Sequence, residues 1–505
     1  MNTNFKNLVF YEIYPNSFKD SNGDGYGDIQ GIISKIDYLK DLGINAIWLN
    51  PHYDSPFMDG GYDVRDFFKV SPRFGTEEDF KELVNKLHDA GIKLIVDLVA
   101  GHSSEENEMF KLSGSPKKSE YDDLYIWTNY AFDIPKEYRF MAGKTNRDGA
   151  YMINFFATQP AFNFGWNEIK YPHWQMSYKD KRTYQARDLI VKICNFWLDL
   201  GVDGFRVDMA SSLVKADVNY EGTIEVWKYI FDRVKKNYSN SFFVSEWNDP
   251  DNSFKAGFDA DFALDFPDSF QCNLLRKEHF GKASFLKLNS ELDISQSLKE
   301  YEDLVYRNKD NGYYSFITCN HDTGRPMKFL DEKELRLFYV LAFTLPGIPF
   351  LYYGDEIAML FRTDIDSKEC GYARTGSRTP MQWDDSLNQG FSDCRPEDIF
   401  LPTDHTTSVE AKINDKNSVY YLIKNIIKLR KDDESLQGNN FKVVNYGENH
   451  YISYYRNDDL VVVNPSKNDV KIANCGSIIF SDGIINVEGD YIIVGSQSSV
   501  IVKQK

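Results

Sequence analysis

Asp97 with His102, Arg206 with Asp208, Glu246, and His321 with Asp322 each follow or close a short apolar, β-branched or aromatic run. The runs are residues 93–96, 205–207, 242–244 and 316–318. Arg206 and Asp208 are two residues apart, so on a strand their side chains share one face. A cation there favours the ionised form of Asp208, while the neighbouring negative charge keeps Glu246 protonated. One ionised and one protonated carboxyl, with an arginine and histidines to hold a polyol, are what acid–base cleavage of a glycosidic bond requires. Taken singly, a strand-end Asp caps the next helix more often than it catalyses, and a buried His is usually just hydrogen-bonded. The set carries meaning only if the fold gathers all of these ends at one place.

Strand and helix signals alternate in a way that does so. Strand-like runs occur at residues 9–15, 46–51, 93–99, 204–208, 242–247, 262–266, 314–319 and 349–354. Helical patterns lie between them, including 32–42, closed by Gly43, and 76–90, with Thr76 as cap, acids in its first turn and Gly91 after its end. Eight such units predict a (β/α)8 TIM barrel, in which polar groups at the C-terminal strand ends converge on one mouth. Residues 103–178 break the alternation with an aromatic, Asn- and Pro-rich stretch, predicting a subdomain inserted after the third strand. From residue 437 short β-rich runs separated by Asn, Asp and Gly predict a C-terminal antiparallel β-sandwich. The expected division is therefore 1–102 and 179–436 for the barrel, 103–178 for the insertion and 437–505 for the sandwich.

The 505 residues carry a formal charge of -18, which argues against nucleic acid or anionic membrane as partner. No run reaches the roughly 18 apolar residues of a membrane helix. Six cysteines without paired spacing and no amino-terminal signal pattern suggest a cytoplasmic protein with reduced thiols. Aromatic residues make up 15% of the chain; at that abundance most must fill the core, so they say little about sugar stacking.

The ordered motifs Gly204-Phe205-Arg206-Val207-Asp208 and Asn320-His321-Asp322 resemble those of glycoside hydrolase family 13, the α-amylase family. Residues 50–56, Gly61-Tyr62-Asp63, 159–163 and 378–383 support the resemblance, which is greatest to the oligo-1,6-glucosidase and α-glucosidase group. It implies Asp208 as nucleophile, Glu246 as acid/base and Asp322 as transition-state stabiliser. It implies Arg206 beside the nucleophile, His102 and His321 on the sugar, and Tyr62 stacked beneath it. Asp63 with Arg378, or Arg374 in its place, would close the pocket around a non-reducing end. The implied activity is a retaining hydrolase that releases glucose from short α-glucosides. A transglycosidase or isomerase of the same fold, acting like a trehalose synthase or on sucrose, is the alternative. An endo-acting α-amylase, or an inactive binding protein on this fold, ranks behind both.

Asp20-Ser21-Asn22-Gly23-Asp24-Gly25-Tyr26-Gly27-Asp28 alternates oxygen donors with flexible residues, like the start of an EF-hand loop without its closing Glu. The resemblance implies one structural calcium held by Asp20, Asn22, Asp24, the Tyr26 carbonyl and Asp28. Three positions depart from the family. Gly101 stands where an asparagine ligates a second calcium, which is therefore not expected. Met209-Ala210-Ser211-Ser212 lacks the Lys-His pair of polymer-acting members. Ala161 replaces an acid, with Asn163 left to tie the insertion to the barrel.

Overall fold

The computed structural model describes residues 5–504. Its eight predicted strands are all present: β1 (Phe10–Ile13), β2 (Ala46–Leu49), β3 (Lys93–Leu98), β4 (Gly204–Val207), β5 (Phe242–Ser245), β6 (Ala260–Ala263), β7 (Tyr313–Phe316) and β8 (Phe350–Tyr352). They form one parallel sheet in the order β7-β6-β5-β4-β3-β2-β1-β8. A parallel bridge from Ile317 to Phe350 and the Thr318 N–H on the Phe350 carbonyl, at 3.0 Å, close β7 on β8. The sheet is thus a barrel, as expected.

The two-residue period of a strand sorts its side chains. Phe10, Trp48, Ile95, Val244, Phe262 and Phe350 point inward and fill the barrel. Tyr11, Ile47, Leu94, Val96, Phe205 and Phe243 point outward and join the core beneath the helices. Further along β1, β3 and β4 the inward positions turn polar, to Glu12, Asp97 and Arg206, all buried. The barrel is greasy below and charged at its upper end.

Helix Glu77–Asp89 has the cap foreseen in the sequence: Thr76 and Asp79 bond reciprocally as a capping box. The helix predicted over 32–42 is instead two short ones, Ile29–Ile33 and Ile36–Leu42, the first capped by Asp28. The segment after β3 holds a short helix, Glu108–Ser113, a hairpin of Phe140–Ala142 with Ala150–Met152, and a small core around Trp166 and Trp174. It returns to the barrel where His102 bridges Ala161.

The C-terminal strands are β9 (Lys442–Tyr446), β10 (Ile452–Arg456), β11 (Asp459–Asn464), β12 (Val470–Ala473), β13 (Gly476–Asp482), β14 (Ile485–Glu488), β15 (Tyr491–Val494) and β16 (Ser498–Gln504). They make a five-stranded sheet, β9-β10-β11-β16-β13, and a three-stranded sheet, β12-β15-β14. Along β11 and β16 alternate residues part company. Leu460, Val462, Val500 and Val502 pack with Ile492 and Val494 of the smaller sheet. Val461, Val463 and Ile501 face the other way, into the core shared with the barrel helices. All six cysteines are free thiols. Among the described residues no helix is long and apolar enough to cross a membrane.

Candidate active site

The parallel register places Asp97 of β3 beside Arg206 of β4, and both side chains point inward. Arg206 Nη1 lies 2.6 Å from Asp97 Oδ1 and 3.0 Å from Asp208 Oδ1, while Nη2 lies 2.9 Å from Glu246 Oε2. The last is an ion-pair contact, off the line of an N–H donation. Asp97 is further fixed by the Trp48 indole N–H, the Tyr62 hydroxyl and the Asn50 amide, which donate to Oδ2 at 2.8, 3.0 and 3.3 Å. One guanidinium thus faces three carboxylates.

That ratio changes the expected electrostatics. Burial pushes the Asp208 carboxyl up, and Glu246, Asp97 and Asp322 push it the same way, against Arg206. A single cation shared three ways does not offset desolvation and three like charges, so the Asp208 carboxyl sits well above the usual carboxylate range. The expectation that Arg206 alone sets Asp208 is corrected accordingly.

Met209 follows Asp208 in the left-handed region, at φ 44° and ψ 43°, which costs a non-glycine residue roughly 1–2 kcal/mol. The turn aims the Met209 N–H at Glu246 Oε2, 3.0 Å away. Strain here fixes the second carboxylate.

Asp322 lies at the end of the β7 loop. Its Oδ1 accepts from Arg374 Nη1 at 2.8 Å and Arg378 Nη2 at 3.0 Å, and His321 Nε2 sits 3.2 Å from Oδ2. Burial would raise Asp322, but His321, Arg374 and Arg378 together hold it well below the usual carboxylate range. Burial would lower His321, yet Asp322 and Glu12, the latter 2.8 Å from Nδ1, raise it to about 9. The Tyr62 ring lies parallel to the His321 ring, 5.1 Å between centroids and 12° apart. Burial takes His102 down to about 4, leaving it neutral.

These groups line a cavity of about 310 Å³ walled by Tyr62, His102, Asp208, Glu246, Asp322, Arg374 (the alternative to Arg378) and, unforeseen, Asp59. An apolar collar of Met209, Trp247, Leu264, Phe155 and Phe266 completes it. Arg206 and His321 stand just behind the wall.

Three expectations fail. Asp63 is fully buried away from the cavity; it accepts from the Met58 and Asp59 N–H groups and the Ser55 hydroxyl, so it folds its own loop. Arg378 is also buried, bonded to the His321 carbonyl and behind Asp322. Asp59 and Arg374 reach the cavity instead, 3.1 Å apart. Asn163 bonds within the insertion, to the Asp123 carbonyl, and does not tie it to the barrel.

In the Asp20–Asp28 loop, Asp20 accepts from the N–H groups of Asn22, Gly23 and Gly25 and from the Ser392 hydroxyl. Asp28 accepts from Ser21 and caps the helix at Gly31. Asn22 and Asp24 each accept one N–H two residues on. Among the described residues nothing donates to Asp24 Oδ2 or the Tyr26 carbonyl, which leaves these two as the loop's open acceptors. Among the described residues no group of three or more His, Cys, Asp or Glu gathers as a metal cluster.

An eight-stranded parallel barrel with paired acids, an arginine and a cavity at its C-terminal end defines a glycoside-processing enzyme. Residues 12–439 match the model of the alpha amylase catalytic domain, and the chain belongs to that family, glycoside hydrolase family 13. It is 30% identical to a trehalose synthase/amylase of Mycolicibacterium smegmatis over 90% of this chain and 80% of that one. It is 29% identical to a probable oligo-1,6-glucosidase of Bacillus subtilis, over 96% and 95%. The trehalulose synthase MutB of Pseudomonas mesoacidophila MX-45 superposes with a TM-score of 0.82 at 25% identity, over 99% of both chains.

Proposed function

We propose that the chain is a retaining, exo-acting α-glucosidase on short α-glucosides. The observation that carries the reading is the Asp59–Arg374 ion pair on the cavity wall, with Arg374 also on Asp322. Such a pair would supply acceptors and donors to the hydroxyls of a terminal sugar and stand across the path of a longer chain. A cavity of about 310 Å³ lies at the small end of ligand sites, about 300–1,000 Å³, which suits a short saccharide.

In this reading Asp208, in its ionised form, attacks the anomeric carbon through Oδ as Glu246 passes its proton to the departing glycosidic oxygen. Glu246 then takes a proton from water, and that water releases glucose from Asp208. Both acids sit on one guanidinium, which supports the short separation of retaining enzymes, about 5–5.5 Å, over the about 6.5–9.5 Å of inverting ones. Asp322, held ionised, hydrogen-bonds the sugar hydroxyls, and Tyr62 forms the platform beneath the ring.

A second reading, transfer of the glucosyl group to another sugar, is favoured by the apolar collar. Phe155, Phe266, Leu264 and Trp247 would shield the glucosyl-enzyme from water while a sugar acceptor binds. Product analysis on maltose, isomaltose, sucrose, trehalose, panose and starch separates the two. Free glucose as main product supports hydrolysis, new disaccharides overturn it in favour of transfer, and rapid endo-cleavage of starch defeats both. The structural calcium belongs to the same proposal, with Asp20, Asn22, Asp24, Tyr26 and Asp28 as its holders.

A further inference from the structure

Asn154, from the inserted segment, lies against the cavity histidine. Its Nδ2 is 3.0 Å from His102 Nδ1, and His102 Nε2 is 3.0 Å from the Tyr62 carbonyl oxygen. Lys215 Nζ lies 3.3 Å from Asn154 Oδ1 and donates to the Ser212 carbonyl at 2.6 Å. The amide fits there because residue 101 is glycine: a Cβ at Gly101 would come within 2.8 Å of Asn154 Nδ2.

Hydrogen-bond logic closes this chain from both ends. An ammonium can only donate, so the Asn154 atom facing Lys215 must be the oxygen. The amide NH2 then faces His102 Nδ1, which must accept. From the other side, a backbone carbonyl can only accept, so His102 Nε2 must carry the proton. The two constraints, from Lys215 and from Tyr62, are independent and agree.

We infer that Asn154 is a positioning residue that, held in orientation by Lys215, locks His102 as the neutral Nε2–H tautomer and so fixes the Tyr62 platform. The lock also joins the insertion to the cavity wall. Lys215 is the charged group that His102 feels most directly, and burial with that charge keeps the ring neutral. Lys215 itself, lowered by burial to about 8, is a cation below that pH.

Histidine-selective ¹⁵N correlation spectra of the free enzyme test the inference, so the outcome does not depend on which glucoside is the substrate. The His102 signals are assigned by their loss in H102Q among the eight histidines. In the wild type they should show a protonated Nε2 and a bare Nδ1, unchanged from pH 5.5 to 7.5. Asn154→Asp sets acceptors against both ring nitrogens, so His102 should be doubly protonated at pH 6.5. Lys215→Met frees the amide to turn its oxygen to the ring, and His102 should take its second proton at a higher pH than in the wild type. A wild-type Nδ1–H tautomer or an exchanging mixture would overturn the lock without any variant. Unshifted His102 signals in Asn154→Asp would remove Asn154 from it, and in Lys215→Met would remove Lys215.

Discussion

Asp59 and Arg374 meet at 3.1 Å on the cavity wall although 315 residues separate them in the chain. Gln159 Nε2 donates to the other Asp59 oxygen at 2.8 Å, so three parts of the fold set this one corner. The pair is exposed enough to meet a ligand and is anchored from behind.

Asp59→Ala and Arg374→Ala should each lower kcat/KM on maltose or isomaltose by about 10- to 100-fold. A lost hydrogen bond to a charged group is worth about 1.5–3 kcal/mol. The ratio of trisaccharide to disaccharide turnover should rise in both variants. An unchanged ratio would mean that the pair does not read the chain end.

Glu246→Gln should lower kcat on natural disaccharides by about 10²–10⁴-fold, the usual worth of a general acid. Asp208→Asn should lose turnover at least as severely, since no glucosyl-enzyme can then form. Steady-state rates on unactivated substrates, with circular dichroism to check folding, decide it. Near-native rates in either variant reject that residue's role.

His321 makes a pH prediction with a definite sign. Its folded pKa, about 9, lies above the unfolded value near 6.5. A raised histidine contributes stability that is complete below about pH 6.5 and is lost as pH rises through about 9. Wild-type Tm should therefore fall across that window, and His321→Gln should flatten the slope. Parallel Tm–pH curves would contradict the ion triad of Glu12, His321 and Asp322.

Excess chelator should lower Tm relative to excess calcium, because a cation that binds only the folded loop stabilises by mass action. Asp24→Ala should erase the difference. Equal melting temperatures with no bound metal by elemental analysis would leave the loop as a hydrogen-bonded turn.

The barrel was legible because apolar period and strand length agree at all eight runs, and β3 and β4 announce their charged ends in sequence. Asp208, Glu246 and Asp322 stood out through their strand-end positions taken together with the resemblance of their motifs to glycoside hydrolase family 13. Asp59 did not, because its direction depends on a loop with left-handed residues at Phe57, Gly60 and Gly61. That path turns Asp59 toward the cavity and Asp63 away from it, and no local pattern distinguishes the two. Arg374 and Arg378 differ similarly: both touch Asp322, and only the short helical turn Tyr372–Ser377 decides which one faces the cavity. Asn154 was hidden because its partners, His102 and Lys215, lie 52 and 61 residues away. The raised Asp208 carboxyl was missed for a different reason: spacing reveals that Arg206 is near, but not that Asp97 competes for it.

The five-stranded C-terminal sheet has one face on the barrel helices and the other on the smaller sheet. Neither the barrel nor the C-terminal strands could melt without exposing the other's apolar surface, so thermal denaturation should couple them in a single cooperative event. A calorimetric trace should show one peak whose van't Hoff enthalpy approaches the measured enthalpy. A chain ended before β9 would leave Arg336 and Thr344 of the helix Glu332–Thr344 without Asp482 and Tyr454 and would bare the helix surface that Val461, Val463 and Ile501 cover, and should be recovered as aggregate rather than as a smaller working barrel.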